Sequence, residues 1–393
     1  MAAKHALLNL PAFSKRKTRL RVSHNVSWQD KSENRTGVWQ SEAGRSAPKK
    51  IELIDDTMTA DAAFWRACAG TGMLFEGDFQ NAKQLLDAVA RRADRKPLNK
   101  TATMLETFHQ HRLRQIGQAN ITNKILIEFQ NGVCHLSRSP ELQEAVERAI
   151  GAPPPASLLL SLKEVLGMVG ANEWRKKGVH IAALDAKIHA HYAVYSPVRG
   201  EYLDIVNRAS LNSPNVAWDI GTGTGVLAAL LVRRGAGQVI ATDNSPQALL
   251  CAAENIERLQ MQDKISLVET SLFPEGKADL IVCNPPWVPA KANTAIEFAV
   301  YDPKSKMLRG FLAGVRDRLN EDGEAWLVMS NLAELIGLRG ADDLQNWIAE
   351  AGLTQVDRID TAPRHSKAND KSDPLHEARS AEVTSLYRLR ATA

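Results

Sequence analysis

Two rhythms of apolar and polar positions divide the chain. From Asn215 onward, short apolar runs alternate with amphipathic stretches. The runs at 216–220, 238–242, 265–269, 278–283, 324–329, 353–359 and 382–388 predict strands, and 226–234, 246–260 and 305–319 predict helices. Strands separated by helices imply an α/β architecture with a parallel, doubly wound sheet covered on both faces. In such a sheet the ligand crevice lies at the carboxyl ends of the central strands.

Upstream the period is helical. Residues 59–65 read as the capped start of a helix, and 78–95 place Phe79, Ala82, Leu85, Leu86 and Val89 on one face. Residues 51–155 are therefore expected to form a mainly helical domain suited to substrate recognition. Pro153, Pro154 and Pro155 mark a linker or sharp corner, and 157–169 a helical lead-in, so that 156–393 forms the sheet domain. No repeat at solenoid spacing is apparent.

Composition adds three limits. With 393 residues, 44% of them hydrophobic, the chain can bury a sizeable core. Its longest apolar run, residues 226–232, is far short of the roughly 20 residues that span a bilayer, so no membrane association is expected. Cys68, Cys134, Cys251 and Cys283 lack C-x-x-C spacing, which argues against a disulfide framework or structural zinc and fits a reducing cytoplasm. His109, His111, His189 and His191 lack a third partner at ligand spacing, so no metal is expected.

Charge is unevenly placed. The net charge is +4, yet residues 1–50 hold 11 basic residues against Asp30, Glu33 and Glu42. The rest of the chain is mildly acidic. Residues 1–50 read as a basic, disordered tail whose centre, 14–21, could follow a phosphate backbone; a transit peptide is a second reading, and no secretory signal is visible.

Three motifs carry chemistry, each at the end of an expected strand. The first runs from Asp219 through Gly221, Gly223 and Gly225 into an apolar helix. Glycines at a strand-to-helix turn allow otherwise forbidden dihedrals and close approach of a nucleotide-like ligand. The spacing is G-x-G-x-G, and a glycine loop on its own also fits a tight turn without ligand. Asp219 adds a carboxylate that can help hold a cationic ligand. In the second motif, Asp243 ends the next strand 22 residues after Gly221, where an acid accepts both ribose hydroxyls. Helix capping is the competing role, but Asn244 or Ser245 with Pro246 supplies it. In the third, an apolar strand runs into Asn284-Pro285-Pro286-Trp287. The prolines stiffen the turn, the Asn284 side-chain oxygen and the Pro285 carbonyl can accept hydrogen bonds from a planar NH2 group, and Trp287 can stack on its plane.

Together these motifs resemble the class I S-adenosylmethionine-dependent methyltransferases, and more narrowly the methyltransferase small-domain group with its Asn-Pro-Pro-aromatic signature. The resemblance covers roughly residues 192–390. It implies a Rossmann-like seven-stranded methyltransferase sheet, S-adenosylmethionine as cofactor, and methyl transfer to a planar amide or exocyclic amine, with Asn284 to Trp287 catalytic and Asn284 also near the cofactor. Many relatives carry an acid at the end of the third strand; here Ser271 substitutes, or Glu269 reaches round. Pro197 and Arg199 match the segment that closes over the methionine end of the cofactor. The group implies a macromolecular partner: a release factor, a ribosomal protein, rRNA or DNA, with RNA contact through the basic tail. A non-catalytic RNA-binding or assembly factor that kept the fold is the alternative. The polar insertion at 364–374 reads as a solvated loop that could touch substrate.

Overall fold

A computed structural model describes residues 22–392 except 43, 96–98, 100, 152, 153, 295 and 365–367. The first part of the chain is not mainly helical. It holds β1 (Val22–Asp30), β2 (Glu33–Ser41), β3 (Ile51–Ile54), α1 (Ala60–Cys68), β4 (Gly72–Phe75), α2 (Phe79–Ala93), α3 (Met104–Thr122), β5 (Ile125–Gln130), β6 (Val133–Cys134), α4 (Gln143–Ile150), β7 (Ser157–Ser161) and α5 (Leu162–Lys177). The strands form one seven-stranded mixed sheet in the order β1-β2-β7-β5-β4-β3, with β6 beside β5.

Two expectations are thereby corrected. The supposed tail contains an antiparallel hairpin, β1 against β2, within its described part, while the basic centre at 14–21 lies outside the described residues. The expected helix at 157–169 opens as strand β7, and α5 begins only at Leu162. The physical reason is that β3, β4 and β7 are short and almost wholly buried, so their side chains show no alternation to tell them from a buried helical turn. The helical reading of 78–95 does match α2, capped by the Asp78 side chain accepting from Gln80 and Asn81 N–H.

One face of this sheet packs Phe79, Ala82, Leu85, Leu86 and Val89 of α2 against Met73, Phe75, Ile127 and Phe129. The other packs Trp28 and Trp39 of the hairpin on Leu74, Leu126 and Leu159. A Cβ on Gly37 would lie 2.5 Å from Ser157 Oγ, so a residue without a side chain is what lets β2 run close along β7.

A short hairpin of β8 (Val179–Ile181) and β9 (Ala186–Ile188), then α6 (Glu201–Arg208), leads into the second sheet. There follow β10 (Val216–Ile220), α7 (Val226–Arg233), β11 (Gln238–Asp243), α8 (Pro246–Arg258), β12 (Ile265–Glu269), β13 (Ala278–Cys283), α9 (Lys306–Val315), β14 (Leu319–Ser330), α10 (Leu332–Ile336), α11 (Asp343–Glu350), β15 (Leu353–Thr361), α12 (His376–Ser380) and β16 (Thr384–Ala391). The order is β12-β11-β10-β13-β14-β16-β15. All seven strands fall where the periodicity puts them. The sheet is not wholly parallel, because β16 runs antiparallel between β14 and β15. Apolar layers cover both faces, one built on α6, α7 and α8 and the other on α9 and α11. No described helix is long and apolar enough to cross a membrane.

The corrected hairpin makes a direct prediction. Trp39 is 2% exposed and its indole N–H donates to Arg45 O at 3.1 Å. Trp39→Ala should destabilise the N-terminal sheet by about 3–5 kcal/mol in chemical denaturation. An unchanged unfolding midpoint would show that the hairpin contributes no core.

Candidate active site

The turn from β10 into α7 is held by backbone geometry. Gly221, Gly223 and Gly225 have φ of 75°, 56° and 81°, the left-handed region where a side chain is strained. Gly221 and Thr222 N–H both donate to Thr242 O, at 2.9 and 2.8 Å, which ties the turn to the end of β11. A Cβ on Gly225 would press on Ala252 of α8 at 3.3 Å, whereas one on Gly223 would meet nothing within 4 Å. The second glycine therefore faces open space, as a close-approaching ligand requires.

Asp219 is fully buried directly beneath this turn. Its Oδ2 accepts from Thr222 Oγ1 at 2.7 Å and from Ala228 N–H at 3.0 Å, while Oδ1 has no partner. Burial pushes the carboxyl up to about 6, against those two hydrogen bonds. An orphaned buried carboxylate oxygen calls for a donor or cation that the chain itself does not supply.

Asp243 is not left free by the Ser245 cap. Ser245 Oγ accepts from Ala248 N–H and Pro246 opens α8, as expected. Asp243 in addition accepts from Gly223 N–H at 3.0 Å through Oδ2 and from Ser245 N–H at 2.9 Å through Oδ1. Its carboxylate therefore links the glycine turn to the next helix, and each oxygen keeps a second lone pair for a ribose hydroxyl. Burial raises this carboxyl, and the backbone N–H groups of Ser245 and Gly223 counteract it.

Asn284 follows Cys283, which pairs with Ile220 across β10 and β13, so the Asn-Pro-Pro-Trp segment starts beside Gly221. The Trp287 indole N–H donates to Asn284 Oδ1 at 3.0 Å. The oxygen expected to receive the target amine is thus already oriented by Trp287 and retains one acceptor site. Pro285 is buried, and Trp287 is partly buried where three apolar clusters meet. Pro286 is half-buried beside them.

The remaining candidates separate. Arg199 lines a small pocket with Trp287, Tyr202 and Glu382, so the segment before the sheet does reach the Asn-Pro-Pro-Trp motif. Pro197 is buried and does not line that pocket. Glu269 stands in register with Asp243, while Ser271 is exposed two residues further on. Of the histidines, His191 Nε2 lies 3.0 Å from Glu254 Oε2 and His189 Nδ1 lies 2.6 Å from Arg175 O, so both serve the seam between α5 and α8. His365, Ser366 and Lys367 of the polar insertion lie outside the described residues.

Two residues that sequence reasoning missed fix the loop after Trp287. Asp302 N–H donates to Val288 O at 2.9 Å, and its Oδ2 accepts from Met307 and Leu308 N–H at the start of α9. Arg112, on α3 of the first sheet domain, donates to Lys291 O at 2.8 Å, pairs with Glu297 and lies 4.2 Å from the Tyr301 ring centre. The Asx-like capping of Asp302 before a helix was readable as a local signal; the Arg112 contact, 185 residues from Glu297, had none.

Comparison with known proteins agrees with this geometry. Residues 205–336 match the methyltransferase small domain. A putative protein N5-glutamine methyltransferase of Methanocaldococcus jannaschii is 29% identical over 154 residues, 37% of this chain and 77% of that protein. A release factor glutamine methyltransferase of Cereibacter sphaeroides is 42% identical over 91 residues, covering 22% and 32%. A ribosomal protein L11 methyltransferase of Pelotomaculum thermopropionicum is 46% identical over 69 residues, covering 17% and 22%. The chain thus spans less than a third of the two bacterial relatives. With the glycine turn, Asp219, Asp243 and the Asn-Pro-Pro-Trp segment at the carboxyl ends of β10, β11 and β13, residues 205–336 are similar to the methyltransferase small domain of S-adenosylmethionine-dependent methyltransferases.

Proposed function

We propose that this protein transfers a methyl group to a planar nitrogen, an amide or an exocyclic amine, on a macromolecule of the translation apparatus in the cytoplasm. The observation that carries the reading is Asn284: an oriented side-chain oxygen beside the glycine turn, stiffened by Pro285 and Pro286 and steered by the Trp287 indole. The protein and ribosomal substrates in the relatives' names support a macromolecular acceptor. An intact turn and an intact Asn284 count against a purely non-catalytic role.

Asp219, Asp243 and Gly223 would hold S-adenosylmethionine through its ammonium group, its ribose and a closely approached backbone. When bound, it supplies a methyl group on a sulfonium, already activated for displacement. The chain's own work is then positioning. Asn284 Oδ1 and the Pro285 carbonyl accept from the target NH2, aim its lone pair and offset the positive charge that develops there. Trp287 covers the plane and keeps water out. Arg112 and Asp302 hold the loop that leaves this motif.

Two outcomes follow from these assignments. The Asp219 carboxyl is raised to about 6 in the fold, and only its ionised form attracts an ammonium group. Cofactor affinity should therefore fall as pH drops through about 6, by up to about tenfold per pH unit below it. In Asp219→Asn that dependence should vanish; calorimetry at a series of pH values reads it, and an identical slope in the variant would remove Asp219 from the site. Asn284→Ala should slow single-turnover methyl transfer by about 100- to 1000-fold with little change in cofactor affinity. Asn284→Asp, which keeps an acceptor, should retain part of the rate. Full activity in the alanine variant would refute the mechanism.

A further inference from the structure

A second cleft, of about 400 Å³, lies between the first sheet domain and the loop that follows Trp287. Arg45, Asn120 and Lys124 line it from one side, and Asn293 and Thr294 from the other. Its charge is poorly balanced. Arg45 donates to Asn120 Oδ1 at 2.9 Å, but its Nε is buried without a partner. Lys124 forms no ion pair among the described residues, and its ammonium is held below the usual lysine range by burial and then by repulsion from Arg45. Arg45 is itself lowered by burial, with Glu164 and Glu297 opposing that. Both acids have other partners: Glu164 accepts from Ser41 Oγ, and Glu297, itself part of the cleft lining, is paired with Arg112 and accepts from Asn293 N–H.

Partly desolvated, mutually repelling cations with an unused guanidinium N–H are costly in an empty fold and are offset by an anion. The other polar groups of the lining are side-chain amides, the Ser46 and Thr294 hydroxyls and the Arg112–Glu297 ion pair, whose guanidinium balances its carboxylate and leaves Arg45 and Lys124 as the excess charge. The volume suits a nucleotide and is far larger than one carboxylate side chain needs.

We infer that this cleft is a second ligand site that takes a phosphate of an RNA strand, with Arg45 and Lys124 as its anion contacts and the surrounding amides facing sugar and base edges. RNA bound there lies against the loop that Arg112 fastens downstream of Asn284, so the acceptor would be presented on, or next to, RNA. The inference names the partner class for the proposed reaction, and its test reads binding alone, so it can fail while methyl transfer stands.

The test is fluorescence anisotropy of a labelled single-stranded RNA 12-mer with the full chain. Arg45→Ala combined with Lys124→Met removes both charges and keeps an apolar stem at 124. A control, Lys49→Ala with Lys277→Ala, removes two exposed charges outside the cleft. The cleft variant should bind at least about 10-fold more weakly, and its affinity should depend on salt less steeply by about 0.7 in log–log slope, the share of one phosphate contact on a single strand. The control should change little. Lys124→Met on its own should melt no lower than the parent, because it relieves repulsion; a purely structural lysine would lower it. Equal losses in both double variants, or unchanged RNA binding in a folded cleft variant, would overturn the assignment. So would displacement of no RNA by inorganic pyrophosphate together with displacement by an acidic peptide.

Discussion

The site depends on the buried carboxylate of Asp219 and the left-handed turn that wraps over it. A charged oxygen at the end of a central strand is costly, and the chain offsets half of that cost with the Thr222 hydroxyl and the first-turn N–H of Ala228. Those two bonds force the backbone round tightly enough to need glycine at positions 221, 223 and 225. The same turn is then fastened to β11 by Thr242 O and by the Asp243 carboxylate. Asp219 Oδ1 has no partner among the described residues, and a Cβ on Gly223 would meet nothing within 4 Å.

A second layer of constraint connects this turn to the rest of the molecule. Asn284 is registered beside the turn by the pairing of β13 with β10, and its side chain is steered by a tryptophan three residues on. The chain after Trp287 would be free to move were it not held at both ends, by Asp302 within the sheet domain and by Arg112 from the other domain. The guanidinium of Arg112 is nearly buried and serves a carbonyl, a carboxylate and an aromatic ring at once, which makes it a poor candidate for replacement by lysine. The first domain thus bears on the shape of the loop that follows the Asn-Pro-Pro-Trp segment.

The second sheet and its three motifs were legible because short apolar strands alternate with helices and three of those strands end in residues with their own chemistry. The first sheet was not. Strands such as 51–54 and 72–75 are too short and too buried to alternate, and Trp28 and Trp39 sit among so many basic residues that the hairpin resembles a solvated tail. At the site, the placement of Gly223 and Asp243 could be read from the sequence, but the engagement of Asp243 by backbone N–H groups and of Asn284 by Trp287 could not, since both depend on side-chain directions. The Arg112 contact and the cleft beside it join segments far apart in the chain, and local pattern carries no trace of such pairs.

The claim at the centre of this account is that Asn284 presents a nitrogen on a translation-related macromolecule for methylation. Incubating the protein with methyl-tritiated S-adenosylmethionine and separated ribosomal subunits, free RNA and release factors, and then locating the label by hydrolysis and chromatography, tests it most directly. The account predicts label in one of these fractions, on a nitrogen of a glutamine side chain or a base. Label on oxygen or carbon, or none in any fraction from a protein that binds the cofactor, would contradict it.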